Sequence, residues 1–183
     1  MFRTLASWRP DVTAYRHVQD AYRIALKSLT RRYLELHDGI AALDVMITSI
    51  VDELEPELIK RKAVGYECAS QLLITAGDSP QRLNPESGFA ALCGVSPVPV
   101  SSGKTNRHRL NRGGDRAANS ALHTIAIGRL WTDTRTQEYV AKRVAEGHPK
   151  MEALRCLKRY ISREVYTLLQ NQNRQINSTQ IMT

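Results

Sequence analysis

Cysteines and long apolar runs are scarce in this sequence, and their scarcity excludes several classes of protein. The three cysteines, Cys68, Cys93 and Cys156, are isolated among apolar neighbours, which favours reduced core thiols over a disulfide framework. No apolar run approaches the roughly 18 residues of a membrane-spanning helix, and the N-terminus lacks the apolar core of a signal peptide. We therefore expect a soluble, intracellular protein with no membrane partner.

A metal site is also not predicted. The five histidines and three cysteines form no cluster at metal-ligand spacing. Acidic residues do gather between Asp52 and Glu57, but carboxylates so close in sequence lie on different faces of a helix. We interpret them as a solvated helix end before Pro56, and we expect no metal and no cofactor in this chain.

Positive charge is what the sequence has in excess. The 183 residues carry 26 Lys and Arg against 18 Asp and Glu, which gives a net charge of +8. A pI near 9.7 is typical of proteins that bind a polyanion. The length fits one domain, or one compact domain plus an extended arm, and is large enough to bury roughly 70% of the unfolded surface.

The pattern of apolar residues predicts a mostly α fold. We divide the chain into a linker (1–12), a helical seam (13–60), a compact helical domain (61–169) and a disordered, Gln- and Asn-rich tail (170–183). No strand is predicted. A glycine turn at Val64-Gly65 gives the compact domain a helix-hairpin-helix-like start, for which an ordinary helical turn is an equally good interpretation.

An apolar seam recurs at steps of three and four residues in the second of these segments, which predicts one face of a long helix or helical hairpin. Its members are Tyr15, Val18, Tyr22, Leu26, Leu29, Tyr33, Leu36, Ile40, Leu43, Ile47, Ile50 and Leu54. Gly39 is the one weak point at which the helix could break. The seam either folds onto the chain's own core or pairs with a second copy as a coiled coil, and the spacing leaves both open.

The last predicted helix, from Met151 to about Leu169, has two different faces. Its inward positions are Met151, Leu154, Leu157, Ile161, Val165 and Leu168. Its opposite side carries the cations Arg155, Lys158, Arg159 and Arg163. Such a stripe is usually a solvated face, but beside other cations it extends an electrostatic footprint for nucleic acid.

The central stretch holds the residues with the most chemistry. A helix ends at Gly94, Pro97 and Pro99 stiffen the exit, and Ser101-Ser102-Gly103 forms a small-residue tip. Asp115 is a predicted N-cap for the following helix. The nearby cations, which we predict to bind nucleic acid, are Lys104, Arg107, Arg109, Arg112 and Arg116.

Two familiar sites are excluded at this loop. A nucleotide-binding Walker A motif would need glycine where Val98 stands. No Gly-x-Ser-x-Gly elbow surrounds Ser101 or Ser102, which excludes an ordinary serine hydrolase. A serine that attacks a phosphodiester needs neighbouring cations instead, and the loop has them. From the residues alone, a loop that only contacts phosphate is the favoured interpretation.

The chain resembles the C-terminal half of insertion-sequence transposases of the one-ten family, RNA-guided recombinases related to the Piv invertase. The resemblance runs from about Leu5 to Leu169. It is most specific from Phe89 to Pro97, through Ser101-Ser102-Gly103-Lys104, and from Arg109 to Asp115 with Asn119. The block from Leu154 to Tyr166 is also similar to the family.

The resemblance implies a role for the loop. In that family, the serine immediately before this glycine is the proposed nucleophile that links covalently to DNA, which here is Ser102, with Ser101 as its nearest competitor. The family's RuvC-like nuclease domain, whose four acids hold Mg²⁺, matches no position here. The resemblance therefore implies a fragment, a truncated copy or a separately expressed domain that is incompetent alone.

We accordingly predict the serine-bearing, DNA-binding half of a transposase acting in DNA transposition or site-specific recombination. DNA is the expected partner, with a guide RNA as a further candidate and self-association through the seam. The expected location is the prokaryotic cytoplasm, on the nucleoid. The alternatives are a nucleic-acid-binding module whose serine only contacts phosphate, and an inactive remnant without strand-transfer activity.

Overall fold

The computed structural model describes residues 1–11, 13, 17–77, 85–102, 105–109, 111 and 113–181, and gives only the backbone for 101, 102, 105–108 and 172–181. The chain separates into two compact units, Met1–Thr48 and Ser49–Thr183. In the described residues the structure is mostly α, with eight helices and one small sheet, which confirms the predicted fold class.

The helices and strands have the following bounds in chain order. They are α1 (Phe2–Ala6), α2 (Val18–Leu54), α3 (Pro56–Ile59), α4 (Tyr66–Ala76), α5 (Glu86–Leu92), β1 (Val98–Ser102), β2 (Thr105–Arg109), α6 (Arg116–Thr132), α7 (Thr134–Ala145) and α8 (Lys150–Ile181). In the described part of the chain, no helix is both long and apolar enough to span a membrane.

Helix α2 is the main element of the first unit. It is a single helix, without the break considered at Gly39, because one glycine costs a helix only about 1 kcal/mol. The sequence predicted a linker over 1–12, whereas residues Phe2–Ala6 form α1. Phe2 stacks on Tyr33 of α2 with ring centroids 4.7 Å apart.

The apolar seam of α2 is mostly exposed. Tyr15 lies outside the described residues, and Ile47 is half-buried. The exposed members of the seam are Val18, Tyr22, Leu26, Leu29, Tyr33, Leu36, Ile40, Leu43, Ile50 and Leu54. The structure therefore confirms the helix and leaves its apolar face uncovered in the single chain.

The core of the second unit forms where α6 packs against α4 and α8. Leu72 of α4, Leu122 and Ile125 of α6, and Ile161 of α8 are among its fully buried side chains. Phe89 of α5 is equally buried, and its ring lies 6.3 Å from that of Tyr166 on α8. These contacts fix α5, and the segment that leaves it, against the helical core.

The ends of the helices follow local sequence signals. Asp115 caps α6 as predicted, since its Oδ1 accepts a hydrogen bond from the backbone N–H of Ala117 at 2.8 Å. Asp133 caps α7 in the same way, since its Oδ2 accepts a hydrogen bond from the backbone N–H of Thr136 at 3.1 Å, and α7 begins at Thr134. Helix α5 ends at Leu92, with Cys93 as its C-cap, and Gly94 follows with a φ of +65°.

Two segments differ from the sequence-based expectation. The central loop contains an antiparallel hairpin, because β1 pairs with β2 across a two-residue connection. A Walker A loop connects a strand to a helix, whereas β1 is followed by the strand β2. The exclusion of a Walker A loop therefore stands. The predicted disordered tail is instead helix as far as Ile181, because no Gly or Pro interrupts the sequence of α8.

Helix α8 buries the face that its sequence predicts, except that one predicted inward residue is exposed and one predicted outward residue is buried. Leu154, Leu157, Ile161, Val165 and Leu168 are buried as expected, whereas Met151 in the first turn is exposed. Lys158 was placed on the solvated cationic face, but its side chain is buried. Lys158 can be buried because its ammonium donates a hydrogen bond to Asn119 of α6.

Candidate functional site

The hairpin formed by β1 and β2, which we call the serine hairpin, displays the predicted nucleophile at its far end. Val98 pairs with Arg109 at the base, and Ser102 pairs with Thr105 at the tip. Ser102 is four residues beyond Val98 along β1, which places it roughly 13 Å along the hairpin from its base. The backbone thus places the serine at the end of the hairpin opposite its base.

Strand alternation separates the two candidate serines. Residues that pair directly across an antiparallel ladder share a face of the hairpin, and the face changes at each step. By the observed register, Ser102 lies on the same face as Arg107 and Arg109. Ser101 lies on the other face, with His108.

The base of the serine hairpin is closed by a close approach of two glycines. A Cβ on Gly114 would lie 2.5 Å from the backbone N of Gly94 and 2.9 Å from the carbonyl oxygen of Ala91. No side chain fits there without moving the backbone. The N–H of Asp115 also donates to the carbonyl of Leu92 at 2.6 Å. The two ends of the inserted segment are therefore held together at the start of α6.

Asn119 and Lys158 complete this closure. The Asn119 side-chain amide donates to the carbonyl oxygens of Cys93 and Gly94, both at 3.0 Å. Its Oδ1 accepts a hydrogen bond from Lys158 Nζ at 2.8 Å. Burial lowers the pKa of Lys158, and the neighbouring charge of Arg155 lowers it further. The ammonium is thus used to hold α5, α6 and α8 together at the hairpin base.

Asp115 is fixed from a third helix. Its Oδ2 accepts a hydrogen bond from Thr75 Oγ1 of α4 at 2.6 Å, and Gln71 Nε2 approaches the same oxygen at 3.4 Å. The hydrogen bond from Thr75 lowers the pKa of Asp115, and those from the start of α6 add to it. The carboxylate therefore serves as a cap and a link to α4.

A cleft of about 1130 Å³ lies between the hairpin base and α8, and we call it the cation cleft. One wall is Gly94–Pro97 with Arg109 and Asn111, and the other is the first half of α8. The cationic side chains that line it are Arg109, Arg155, Lys158, Arg159 and Arg163. Three of them, Arg155, Arg159 and Arg163, follow at four-residue steps and so repeat about every 6 Å along one face of α8.

The charge of the cation cleft is only partly neutralised. Arg159 makes a bidentate pair with Glu86 of α5, one of whose hydrogen bonds is 2.7 Å, and Arg163 lies 3.9 Å from the same carboxylate. Arg159 lowers the pKa of Glu86 chiefly through this hydrogen bond. Within the described residues, Arg109 and Arg155 have no ion pair. They are available to an anionic ligand.

The predicted site residues are thus found in three places. Ser101 and Ser102 are at the hairpin tip, with Arg107 in the strand opposite. Arg109 lies at the hairpin base in the cation cleft, and Arg116 is exposed in the first turn of α6. Lys104 and Arg112 lie outside the described residues. The structure joins Arg109 to the α8 cations rather than to Ser102.

The sequence-based analysis missed the hairpin base and part of the cleft. Gly94 and Gly114 approach each other closely although they are far apart in the chain. The hydrogen bonds that connect Lys158 to Asn119, and Asn119 to Cys93 and Gly94, also join distant residues. Two weak signals were available in the sequence. Gly113-Gly114 precedes the cap at Asp115, and Lys158 directly follows the inward Leu157. In the parts of the chain that the structure describes, no three His, Cys, Asp or Glu side chains are grouped to hold a metal ion.

Comparison with known proteins identifies the domain that carries these features. Residues 57–141 match a family model described as Transposase IS116/IS110/IS902 family, whereas no curated protein matches the chain. The matched region includes α4, α5, the serine hairpin and α6, and α8 lies beyond it. Such a domain supports a role in transposition or recombination and implies an interaction with DNA. Through residues 57–141, this chain is similar to transposases of the IS116/IS110/IS902 family.

Proposed function

We propose that this chain is the serine-bearing, DNA-binding part of an insertion-sequence transposase, and that Ser102 is its nucleophile. The observation that carries the proposal is the position of Ser102 at the tip of a hairpin with a closed base, inside the region that matches the family. The register supports Ser102 over Ser101, because it shares its face with Arg107 and Arg109. A cationic face is where a phosphodiester would dock.

The chemistry proposed for Ser102 is transesterification. Its hydroxyl oxygen attacks a DNA phosphorus, the bond from phosphorus to one deoxyribose oxygen breaks, and that oxygen takes up a proton. The product is a phosphoserine ester, which a later DNA hydroxyl can attack to restore the serine. Cations near the phosphoryl oxygens stabilise the charge that develops in each transfer. This is the role proposed for Arg107, which lies on the same face of the hairpin as Ser102.

The Mg²⁺ that the resemblance implies does not fit the described residues. None of their acidic, histidine or cysteine side chains are grouped as a metal site, so no step is assigned to a metal here. We propose that strand exchange needs metal-binding acids that lie outside the described residues. Alone, the chain is expected to bind DNA without cutting or joining it.

The first test measures DNA binding as a function of salt. Each phosphate neutralised on a duplex contributes about −0.9 to the slope of log affinity against log salt. Replacing Arg107, Arg109 and Arg112 with Ala should flatten that slope by roughly two to three units. As a matched control, Arg23, Arg31 and Arg32 of α2 are replaced with Ala, which removes the same charge from another part of the chain. An unchanged slope in the hairpin variant would remove these residues from the DNA-binding surface.

The second test concerns the nucleophile. With the nuclease domain of a relative supplied, covalent protein–DNA species are trapped on a denaturing gel. Ser102→Ala should abolish the adduct and strand exchange while leaving DNA binding nearly intact, and Ser101→Ala is the matched control. Loss of the adduct with Ser101→Ala alone would move the assignment by one residue. An adduct that survives both substitutions would favour a nucleic-acid-binding module.

We also propose that α2 pairs with α2 of a second copy of this chain. From Tyr22 to Leu54 the apolar positions alternate steps of four and three without interruption, which is the spacing of a coiled-coil seam. Most of these side chains are exposed in the single chain. A second copy offers an identical and therefore self-complementary stripe. The cations of the serine hairpin and the cation cleft would also accept a guide RNA. Its binding can be measured in the same way as that of DNA, as a function of salt.

A further inference from the structure

Tyr160 occupies an unusual position on α8. Its side chain is 53% exposed, and it lines the cation cleft on one side. On the other side it lines a second, shallower depression of about 420 Å³ that contains Arg61 and Asn171. Arg163 is the other residue that lines both recesses. Tyr160 and Arg163 thus form a ridge between two neighbouring recesses.

The ring of Tyr160 is held in place by a second tyrosine. Tyr139 of α7 contacts it edge to face, with ring centroids 5.8 Å apart and an interplanar angle of 88°. Tyr139 is half-buried, and its hydroxyl interacts with the Cys156 thiol. Burial raises the pKa of Tyr139 to about 12, so that this phenol stays neutral. Tyr160 is therefore an exposed aromatic whose orientation is set in advance.

Arginines surround this ring on the same helix. Arg159 precedes Tyr160, and Arg163 follows one turn later on the ridge. Arg155 lies about 6 Å further back along the face of α8 than Arg159. Arg159 is engaged with Glu86, whereas Arg155 has no ion pair within the described residues. An exposed ring between cations is the arrangement with which proteins bind a nucleic-acid backbone and stack one of its bases.

The state of the nucleic acid follows from the geometry of stacking. In a duplex both faces of an internal base are covered by its neighbours, so a side chain reaches a base face only where the strand is unpaired or the base is extruded. A cleft that continues over a ridge into a second recess accommodates a strand that passes across the aromatic ring. A flat duplex surface would make no use of the ridge.

We propose that Tyr160 is a base-stacking platform, and that this ridge binds an unpaired segment of nucleic acid whose phosphates contact Arg155 and Arg163. The proposal rests on the nucleic-acid binding proposed above and adds the class of ligand, a single strand, to the cation cleft. Single-stranded DNA and RNA share the required chemistry. Separate binding measurements with each distinguish the two sources.

The test compares oligonucleotides of about 15 nucleotides by fluorescence anisotropy. The ligands are single-stranded DNA, single-stranded RNA, a DNA duplex and a single strand with abasic sites throughout. Tyr160→Ala should weaken binding of the preferred single strand by about fivefold to 100-fold, and should have little effect on the duplex and the abasic strand. Tyr160→Phe should bind like the wild type, because the stacking face remains.

Arg155→Ala separates charge from stacking. It should weaken binding of the abasic strand as much as that of the base-containing strand, and reduce the salt slope by about 0.7 for a single strand. Tyr160→Ala removes no charge and should leave the slope unchanged. Whichever of DNA and RNA loses more affinity on Tyr160→Ala identifies the ligand.

Two controls protect the interpretation. Trp131→Ala removes an 81% exposed aromatic of α6 that lines neither recess, and should not change binding. Tyr160→Leu keeps an apolar contact for Tyr139, so an equal loss with Leu and Ala at unchanged melting temperature excludes unfolding as the cause. The platform is wrong if Tyr160→Ala and Tyr160→Leu bind every ligand like the wild type. It is also wrong if both variants lose as much affinity for the duplex and the abasic strand as for the base-containing single strand.

Failure of the platform and failure of the proposed function give different results. A wild-type chain that binds no nucleic acid, at any salt concentration, contradicts both. A wild-type chain whose affinity depends on salt and on Arg107, Arg109 and Arg112, but not on Tyr160, retains the proposed function and overturns the platform alone.

Discussion

Helices α2 and α8 have the same kind of sequence pattern and opposite environments. Both are long, and both repeat apolar residues at three- and four-residue steps. Along α8 these residues are buried in the core of the second unit, whereas along α2 most are exposed. Ion pairs differ as well. Arg159 of α8 pairs with Glu86 of another helix, but Arg31 of α2 pairs with Glu35 of its own.

The difference shows what a periodic pattern does and does not establish. Spacing decides which side chains share a face of the helix, because 3.6 residues complete one turn. It does not decide what covers that face, since a core helix and a coiled-coil helix show closely similar repeats. The comparison can be sharpened by placing the same change on each helix in turn.

The largest effect is expected for Ile161→Asp in α8. Ile161 is 1% exposed, so the substitution removes core contacts and buries a carboxylate without a partner. Loss of the core contacts alone costs about 2–5 kcal/mol, and the buried charge adds to this cost. Urea unfolding should show a chain that is largely unfolded in water. Ile161→Ala serves as the graded variant, and near-wild-type stability for both would contradict the assigned core.

Leu43→Asp places the same side chain on α2. Leu43 is 57% exposed, so the fold of one chain should survive while association of two chains loses several kcal/mol. Sedimentation should show the wild type as a dimer and the variant as a monomer. Ala42→Asp is the matched control, because it adds the same charge beside the seam. Monomers in both forms, with unchanged melting, would defeat the proposed pairing.

A smaller effect is expected for Glu86→Gln, which breaks the ion pair between α5 and α8. Arg159 lowers the pKa of Glu86 in the folded state, so the pair stabilises the fold above the ordinary Glu pKa and loses that contribution as pH falls through the lowered value. The variant should lose about 1–2 kcal/mol at pH 7. Unfolding curves should converge in acid. A difference that persists unchanged there would show that the charge is not responsible.

The smallest effect is expected for Arg31→Ala on α2. The Arg31–Glu35 pair spans 2.9 Å, but the side chain of Arg31 is 75% exposed. Exposed pairs of this kind contribute less than about 0.5 kcal/mol. Melting of the variant should match the wild type within error at low and high salt. A loss comparable with that of Glu86→Gln would mean that this pair is covered in the assembled protein.

The central stretch was predictable in its local parts. The end of α5 just before Gly94 and the cap at Asp115 follow from residues that act on their immediate neighbours. The hairpin was not predicted, because Pro97 and Pro99 indicate extended chain without indicating what it pairs with. The Ser102 assignment came from the resemblance, and the register adds that it shares a face with Arg107 and Arg109.

The sequence by itself determined the helical periods, the caps, the excess of positive charge and the motif around Ser102. These depend on residues within about one helical turn or on composition. Only the tertiary structure buried Lys158 against Asn119, brought Gly114 against Gly94, and added Arg109 to the arginines of α8. Each of these contacts joins segments that lie far apart in the chain. They arise because the packing of α5, α6 and α8 brings those segments together, which no local pattern encodes.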